Sequence, residues 1–457
     1  MSPHIRISIG KKTSVPHERS TMPSTALMPS IFFQIAYACC ILQLVQLPRV
    51  ASFVVDGHRA LNFCPNPRIR TGGTPSTFIR GSSIATSLQS VVNEDNDDAT
   101  TTICSNDDAE SDTGGFFWDF QGHSCYAEVD QPTKTSSKTS DDQKKPTVLL
   151  IHGFACSTVY WRETRAYLTE AGYTVHLVDL LGQGKSAKPG RNDNVIYSID
   201  LWAKMVDEYA HRYIDGSDDE NGVVLVGNSL GSVVALSAAT GDCYNDETNS
   251  NNAHLPSRVK GLCFFNCGVG MNTQNAIKTI SSKWVKSIVT VFFDVLNLLV
   301  FNNKALLTYV IDEKVSKEVL RNALISLYAY AEDPESKVND ELVDSFIDPV
   351  LNDSTSAVVE VLSQIYTNEA GRTPMEIQTK YLSKEDNRSK IPIHLIWGDK
   401  DPIAPMSGAV GTYYSKLAST SNSGITFEVI KDAGHIPFDE KPECNSGLIE
   451  WLAEKIE

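Results

Sequence analysis

The chain has 457 residues, of which 41% are hydrophobic and 21% are charged, and its formal net charge at pH 7 is −16. This composition is typical of a globular protein, and the length suggests two or three folded or appended units. The negative charge argues against duplex nucleic acid as a partner, because its phosphates would be repelled.

The first 92 residues predict a targeting presequence. Residues 1–90 hold nine lysines and arginines against only Glu18 and Asp56. The uncharged segment 31–47 predicts a signal-peptide core, and residues 53–92 have the basic, Ser/Thr-rich composition of a transit peptide. This order resembles the bipartite presequences of plastid proteins, so we expect a plastid (chloroplast) location. Secretion and membrane anchoring are the alternatives, and a reporter fused to residues 1–92 would reveal either.

The folded region is expected to begin near residue 116. Residues 93–115 are acidic and predict a disordered linker. The segment 116–129 predicts a hairpin that turns at Gln121-Gly122. Buried strands then alternate with helices, and this alternation predicts a mostly parallel, doubly wound sheet covered by helices on both faces. The predicted strands lie at 148–152, 174–179, 223–226 and 259–265, and the predicted helices at 158–171 and 198–214. Residues 116–270 therefore form the first part of the predicted core.

Residues 271–388 interrupt the alternation and predict a helical cap. This region contains no clear buried strand, but it has helical patterns at 284–301, 317–330 and 339–366. The alternation resumes with strands at 393–397 and 426–430 and a helix at 446–456. Residues 389–457 should therefore complete the core.

One segment of the cap is unusually apolar. Residues 284–301 either pack the cap onto the core or cover a hydrophobic substrate, with peripheral contact to a membrane as a further option. Only Lys283, Lys286 and Lys304 supply positive charge there, which is too little for a strong anionic-lipid site.

The pentapeptide Gly227-Asn228-Ser229-Leu230-Gly231 has the pattern of a nucleophile elbow. An apolar strand precedes it, and small and apolar residues of helical length follow it. In such an elbow a buried strand turns sharply into a helix with the serine at the apex. The glycines are needed because side chains at their positions would collide where strand and helix close together. The pattern therefore predicts Ser229 as a nucleophile.

A serine hydroxyl needs a positioned base to attack at neutral pH. In this fold the chain order is serine, acid, histidine. Three histidines follow Ser229. His254 lies in a polar insertion and His394 lies inside a strand pattern, whereas His435 lies in a loop between the last strand and the last helix. His435 is therefore the predicted base.

The acid that orients the base should follow the strand 393–397. Asp401 stands beyond this strand and is followed by Pro402 and Pro405, which restrict the loop. We therefore assign Asp401 as the orienting acid. Asp399 is the alternative and is expected to cap the turn.

The oxyanion hole needs two backbone N–H groups. One is expected from Leu230, the residue after the nucleophile, and the other from Phe154 in the loop after the first core strand. Gly153 allows a close backbone approach there. His152 precedes Ser229, which is the wrong order for the catalytic base, and is expected to have a structural role.

These motifs resemble the α/β-hydrolase fold over residues 116–457. They are HGF (152–154), DLLGQGKS (179–186), GNSLGS (227–232), WGDKDP (397–402) and GHIPFDEKPE (434–443). Residues 197–202, GNSLG and GHIPFDE are similar to segments of the plastid hydrolases that include pheophytinase and chlorophyll dephytylase. Carbon–carbon hydrolases of the meta-cleavage type resemble the chain more distantly. Two residues depart from the family pattern, which often has glycine in place of Ser232 and Ala155.

The resemblance implies a serine hydrolase that cleaves a small hydrophobic carboxylic ester through an acyl-enzyme. Dehalogenases and epoxide hydrolases place aspartate at the elbow, whereas Ser229 favours acyl transfer. A phytyl ester of a chlorophyll derivative is the sharpest candidate substrate. The alternatives are a carbon–carbon hydrolase, a lipid ester hydrolase similar to monoacylglycerol lipase, and a slow-turnover receptor. No cofactor or metal is expected, and the sequence leaves the oligomeric state open.

Overall fold

A computed structural model describes six segments of the chain: residues 114–133, 145–214, 222–244, 254–383, 391–421 and 423–457. The predicted presequence, 1–92, and nearly all of the predicted linker lie outside the described residues. Gly114 and Gly115 are the exception, because they pair with Val129 and Glu128 at the start of a strand. The linker was therefore predicted two residues too long. Two glycines carry no side chains that could show the alternating pattern of a strand.

Eight strands form one sheet in the described part of the chain. They are β1 (Gly114–Phe120), β2 (His123–Asp130), β3 (Thr147–Ile151), β4 (Val175–Val178), β5 (Val223–Asn228), β6 (Val259–Phe265), β7 (Ile393–Gly398) and β8 (Ile425–Ile430). Their order across the sheet is β1-β2-β4-β3-β5-β6-β7-β8. β1 and β2 form the predicted antiparallel hairpin and β2 is antiparallel to β4, whereas all later pairs are parallel.

Helices cover the sheet and build the cap. Those of the core are α1 (Arg162–Glu170), α2 (Ile199–Tyr213), α3 (Leu230–Thr240), α12 (Ala409–Ala418), α13 (Pro437–Glu440) and α14 (Asn445–Lys455). Those between β6 and β7 are α4 (Thr273–Lys278), α5 (Lys283–Leu296) with a π-helical end (Asn297–Phe301), α6 (Lys304–Lys314), α7 (Lys317–Leu327), α8 (Pro334–Lys337), α9 (Asp340–Asn352), α10 (Thr355–Thr367) and α11 (Pro374–Leu382).

The two faces of the sheet bury separate layers of apolar side chains. Successive residues of a strand point to opposite faces. In β3, Leu149 packs with Trp202 of α2 on one face. Val148 packs with Leu168 of α1 and Leu452 of α14 on the other. The predicted fold is thus confirmed: a mostly parallel, doubly wound sheet with helices inserted before the strand that carries the acid.

Two helical predictions need correction, and further helices were not predicted. The predicted helix 158–171 begins as a 3-10 turn, and α-helical geometry starts only at Arg162. The predicted helix 339–366 is two helices, because the Ser354 hydroxyl accepts the Ala357 N–H and starts α10. Helix α12 was not predicted at all.

The imidazole of His176 in β4 gives a pH-dependent contribution to stability. It is buried, and its Nδ1 lies 3.0 Å from the Tyr209 hydroxyl. Burial lowers the pKa of His176 from 6.5 to about 4. Between these values the unfolded chain binds more protons than the folded chain. The contribution is therefore fully present above pH 6.5 and is lost as the pH falls toward 4.

Replacing His176 with glutamine, whose amide can still bond to Tyr209, should remove this contribution. We expect the free energy of unfolding to depend less steeply on pH below 6.5, by up to about 1.4 kcal/mol per pH unit. Urea unfolding of both chains across this window measures the difference. Equal slopes would show that the wild-type imidazole is not held neutral by burial.

Candidate active site

Strand β5 and helix α3 meet at Ser229 in a sharp turn. Ser229 has a φ of 51° and a ψ of −116°, a backbone conformation that residues other than glycine rarely adopt. A Cβ at Gly227 would lie 2.5 Å from the Gly231 carbonyl carbon, and one at Gly231 would lie 2.2 Å from the Ile151 oxygen. The two glycines are therefore required by close backbone contacts, and the turn leaves the Ser229 side chain partly exposed.

The neighbours of Ser229 connect the elbow to other loops. The Asn228 amide donates to the carbonyl oxygens of Phe265, at 3.1 Å, and His435, at 3.3 Å. The buried Ser232 hydroxyl donates to the Gly227 oxygen at 2.8 Å. Serine is thus accommodated at position 232 because its hydroxyl finds a partner within the elbow itself.

His435 and Asp401 form a direct pair at the carboxyl edge of the sheet. His435 Nδ1 lies 2.8 Å from Asp401 Oδ2, while Asp401 Oδ1 accepts the N–H groups of Ile403, at 2.8 Å, and Ala404, at 3.0 Å. Burial would raise the pKa of the Asp401 carboxyl, but His435 and these hydrogen bonds outweigh it and hold the pKa below its ordinary value. The ionised Asp401 carboxylate accepts a hydrogen bond from the Nδ1–H group of His435, which leaves Nε2 as the basic nitrogen.

Asn266 is a third member of this arrangement, and its role was not predicted from the sequence. It follows β6, is fully buried, and donates from its amide to Asp401 Oδ2 at 2.6 Å and to the Gly434 oxygen at 3.2 Å. Its own oxygen accepts the Gly398 N–H at 3.3 Å. One side chain therefore joins the acid to the backbone beside His435. The available signal was an asparagine directly after a buried parallel strand.

Asp399 has a different environment from Asp401. Its Oδ1 accepts the Asp432 N–H at 2.7 Å, and its Oδ2 lies 3.3 Å from Lys400 Nζ. These contacts join the turn after β7 to the loop after β8. The position of Asp399 fits the predicted capping role.

The other histidines named from the sequence lie elsewhere. His152 Nε2 accepts the Leu180 N–H at 3.0 Å and its Nδ1 contacts the Gly153 oxygen at 2.7 Å, while burial lowers the pKa of His152 to about 4. His394 lies 2.8 Å from the Thr426 hydroxyl and stacks on Trp451. The ring of His254 stacks on His211. None of these three lines the two cavities at Ser229.

The loop after β3 lies directly against the elbow. A Cβ at Gly153 would lie 3.0 Å from Asn228 Oδ1 and 3.4 Å from Ser229 Cβ. Ala155 has a φ of 55°, a conformation that glycine adopts more easily, and its N–H donates to Gln183 Oε1 at 2.6 Å. This geometry explains the glycine that related sequences often have there. The Leu230 N–H belongs to the first turn of α3, where no preceding turn supplies a carbonyl.

Two cavities meet at Ser229. The first has a volume of about 180 Å³ and is enclosed by the loop after β6, the loop after β7 and helix α10 of the cap. The second has a volume of about 110 Å³ and reaches His435, Tyr160 and the cap residues Leu327 and Phe346. Phe154 and Ile403 line both cavities. A substrate at Ser229 would therefore have one space on each side of the serine.

The linings of both cavities are mostly apolar. His435 is the only titratable side chain there apart from tyrosines and cysteines, and no lysine, arginine or carboxylate is among the described residues that line either space. Burial raises the pKa of the Cys156 thiol to about 12 and also raises that of Cys267. Both thiols stay protonated and are poor nucleophiles. Among the described residues, no group of three or more His, Cys, Asp or Glu side chains could hold a metal ion.

Two adjacent carboxylates join the His435 loop to the cap. Glu440 accepts the Gly434 N–H at 2.5 Å through one oxygen and the Tyr330 N–H at 2.7 Å through the other. Asp439 is fully buried and accepts from the Tyr328 hydroxyl and, at 2.8 and 3.0 Å, from Arg162. The cap segment after α7 is thus bonded to the same loop that carries the histidine.

Arg162 extends this connection further into the cap. Its guanidinium also donates to the Lys337 oxygen at 2.7 Å and to Asn339 Oδ1 at 3.1 Å. Burial would lower the pKa of Arg162, but Asp439 outweighs this effect and raises it, so the charge is retained.

Comparison with known proteins agrees with this architecture. A family model described as alpha/beta hydrolase fold matches residues 146–442. An uncharacterized protein of Mycobacterium tuberculosis is 23% identical over 312 residues, which are 68% of this chain and 76% of that protein. BODYGUARD 3 of Arabidopsis thaliana, named a probable lysophospholipase, is 31% identical over 123 residues, 26% of this chain and 22% of its own length. The crystal structure of a bromoperoxidase from Bacillus anthracis has 18% identity and a TM-score of 0.47, covering 73% of this chain and 96% of that one. Because the family model matches more than half of its residues, the chain belongs to the alpha/beta hydrolase fold family, which confirms the predicted fold and the predicted class of enzyme, a hydrolase.

Proposed function

We propose that the protein is a serine hydrolase that cleaves a hydrophobic carboxylic ester with Ser229, His435 and Asp401. The observation that carries this proposal is the pairing of His435 with a buried, ionised Asp401 at a cavity that also contains Ser229. His435 Nε2 takes the proton from the serine hydroxyl as Ser229 attacks the ester carbonyl carbon. The backbone N–H groups of Leu230 and Phe154 stabilise the oxyanion that develops on the carbonyl oxygen.

The two halves of the reaction then use the same base. The proton on His435 passes to the departing alcohol, and an acyl group remains on Ser229. Water enters, loses a proton to His435 and attacks the acyl carbon. The bond to the serine oxygen then breaks, the proton on His435 passes to that oxygen, and the acid leaves. The two cavities would separate the acyl chain from the alcohol.

The cavity linings favour an ester over the substrate of a carbon–carbon hydrolase. A carbon–carbon hydrolase that acts on a carboxylate-bearing substrate would need a charged residue in the cap pocket to bind that carboxylate. The described residues that line the two cavities include no lysine or arginine. A carboxylate-bearing substrate would be desolvated there without a partner, which is unfavourable.

A phytyl ester of a chlorophyll derivative is the substrate that we propose within this class. It agrees with the resemblance to the pheophytinase and chlorophyll dephytylase group and with the expected plastid location. Cavities that hold drug-sized ligands have volumes of about 300–1,000 Å³. Each cavity at Ser229 is smaller, so neither could enclose the whole substrate, and the tetrapyrrole ring would stay outside.

A lysophospholipid or monoacylglycerol is the second candidate, favoured by a local similarity to BODYGUARD 3. Its fatty acyl chain would also fit an apolar cavity, while a charged head group would remain outside. Both candidates can be tested in one panel that contains a phytyl ester, a lysophosphatidylcholine, a monoacylglycerol and a p-nitrophenyl ester.

The panel is measured with the wild-type chain and with Ser229→Ala. We expect hydrolysis of at least one hydrophobic ester by the wild-type chain alone, with the preferred substrate identified by the largest kcat/KM. Equal rates in the two chains would refute the role of Ser229. Stoichiometric ligand binding without turnover would instead support the slow-turnover receptor.

A further inference from the structure

The outward face of one cap helix is covered by large apolar side chains. Residues Lys283–Phe301, which comprise α5 and its π-helical end, form a continuous helix of 19 residues. The helix is long and apolar enough to cross a membrane, and only 11% of its most apolar stretch is buried in the protein. We call the exposed side chains of this helix the apolar stripe. Its members are Trp284, Val285, Ile288, Val291, Phe292, Val295, Leu298 and Leu299.

The stripe is a single continuous face. Positions 284, 288, 291, 295 and 298 follow one another at intervals of four and three residues, which places them on one side of a helix. The opposite side is anchored in the protein, because Phe293, Val300 and Phe301 are buried. An apolar surface of this length is rare on a monomeric protein and marks an interaction site.

We propose that the apolar stripe inserts into the surface of a lipid bilayer composed mainly of neutral lipids. Lipid tails need no hydrogen bonds, and the helix Lys283–Phe301 carries only three charged side chains, those of Lys283, Lys286 and Asp294. Trp284, the most exposed of them, stands at one end beside Lys283 and Lys286. Tryptophan and lysine at the end of an apolar helix suit the boundary between tails and head groups.

The helix lies along the membrane and does not cross it. The elements on either side of it are tied to the same body of the protein: α4 buries Ile277, and α6 buries Leu307 and Val310. A spanning helix would put its two ends on opposite sides of the bilayer. The arrangement is that of an interfacial helix, which buries one face among the acyl chains.

Charge favours neutral lipids over anionic ones. The chain carries a net charge of −16, and Lys283 and Lys286 are the only basic residues in the helix, opposed by Asp294. Attraction to an anionic surface would therefore be weak, and apolar insertion must supply the binding free energy. Binding should then change little with salt.

The buried side of the helix that carries the stripe is connected to the candidate active site through aromatic contacts. Phe301 stacks on Tyr366 with ring centroids 3.8 Å apart, and Tyr366 contacts Phe154 edge to face at 6.0 Å. Tyr366 and Phe154 both line the larger cavity at Ser229, as do Thr273 and Ala276 of α4. A bilayer against the stripe would therefore bring hydrophobic molecules close to this cavity.

Vesicle binding by the full chain tests the proposal independently of catalysis. The test variant is Ile288→Asp with Val295→Asp, whose side chains are 68% and 49% exposed. The matched control is Ile196→Asp with Val429→Asp, the same residue types at 60% and 46% exposure outside the stripe. Cosedimentation with phosphatidylcholine vesicles, with and without phosphatidylglycerol, measures the partition coefficient of each chain.

We expect the wild-type chain and the control to bind phosphatidylcholine vesicles equally at roughly 0.05 and 0.5 M salt, a range over which surface electrostatic attraction is largely screened. The test variant should bind roughly tenfold more weakly or worse, since each aspartate would have to enter an apolar layer. Failure of the wild-type chain to bind, equal losses in the two variants, or binding only to anionic vesicles at low salt would each overturn the proposal. So would a wild-type dimer that the test variant converts to monomer without any vesicle binding.

A fluorescence measurement keeps the test valid if the aspartate variant is unstable. Addition of phosphatidylcholine vesicles should shift the tryptophan emission of the wild-type chain to shorter wavelength, because Trp284 moves from water into the bilayer surface. Trp284→Phe should lose this shift and keep its unfolding temperature. The same shift in both chains would show that another part of the protein meets the lipid.

Discussion

Ser229→Ala should lower kcat for a hydrophobic ester by about 10⁵-fold or more. The reason is that the other candidate nucleophiles among the described cavity residues, the Cys156 and Cys267 thiols, are held protonated by burial. Substrate binding should be retained, because the cavity walls are unchanged. Initial rates with a p-nitrophenyl ester, together with active-site titration by a fluorophosphonate, measure the loss.

Ser237→Ala is the matched control for this experiment. Ser237 lies on the same helix, α3, and is buried, and its hydroxyl has no hydrogen-bond partner in the described part of the chain. Its removal should leave kcat and KM near their wild-type values. If Ser229→Ala kept most of the activity while Ser237→Ala lost it, the assignment of the nucleophile would be wrong.

Asp401→Asn should lower kcat by about 10⁴-fold, while Asp399→Asn should leave it close to the wild-type value. An amide at position 401 can donate its N–H to His435 Nδ1, which would hold the proton on Nε2 and remove the base. Asp399 contacts the Asp432 N–H and Lys400, so its amide variant changes only the junction of two turns. The two aspartates are two residues apart in one loop, and Asp401 is the one that contacts His435.

Steady-state kinetics of both variants distinguish the two aspartates, and thermal unfolding checks that each chain is folded. Asp401→Asn should keep a KM similar to that of the wild-type chain, because Asp401 is buried behind the histidine and does not line either cavity. The opposite pattern, with Asp399→Asn inactive and Asp401→Asn active, would transfer the role to Asp399.

The sheet was readable from the sequence because its strands are continuous apolar runs. Strand β6, Val259–Phe265, was predicted with its observed bounds. Strand β5 was predicted to end at residue 226 and ends at Asn228. Buried parallel strands have continuous apolar sequences because helices cover both faces of the sheet. The helix α12 was missed because it follows Pro402, Pro405 and Gly408, and Gly408 at its N-cap has no side chain that could mark the start of a helix.

Part of the candidate site could be predicted because some of its features are local in the sequence. The glycines at 227 and 231 mark a backbone constraint, and the order of serine, acid and histidine is a property of the chain. The contact of Asn266 with Asp401 joins residues that are 135 positions apart, and no local pattern records it. The same is true of Glu440, which bonds to Tyr330 across 110 positions. Such contacts are set by the packing of loops at one edge of the sheet.

The bonds of Glu440 bear on how this enzyme can be re-engineered. A chimera that exchanged the whole insertion between β6 and β7 for another cap would remove Tyr328 and Tyr330, each of which donates one of the hydrogen bonds accepted by Asp439 and Glu440, respectively. Two buried carboxylates would then lose donors next to the loop that carries His435. The segment after α7 should therefore be treated as part of the core and not of the cap. A chimera that exchanges the cap should keep this segment in place.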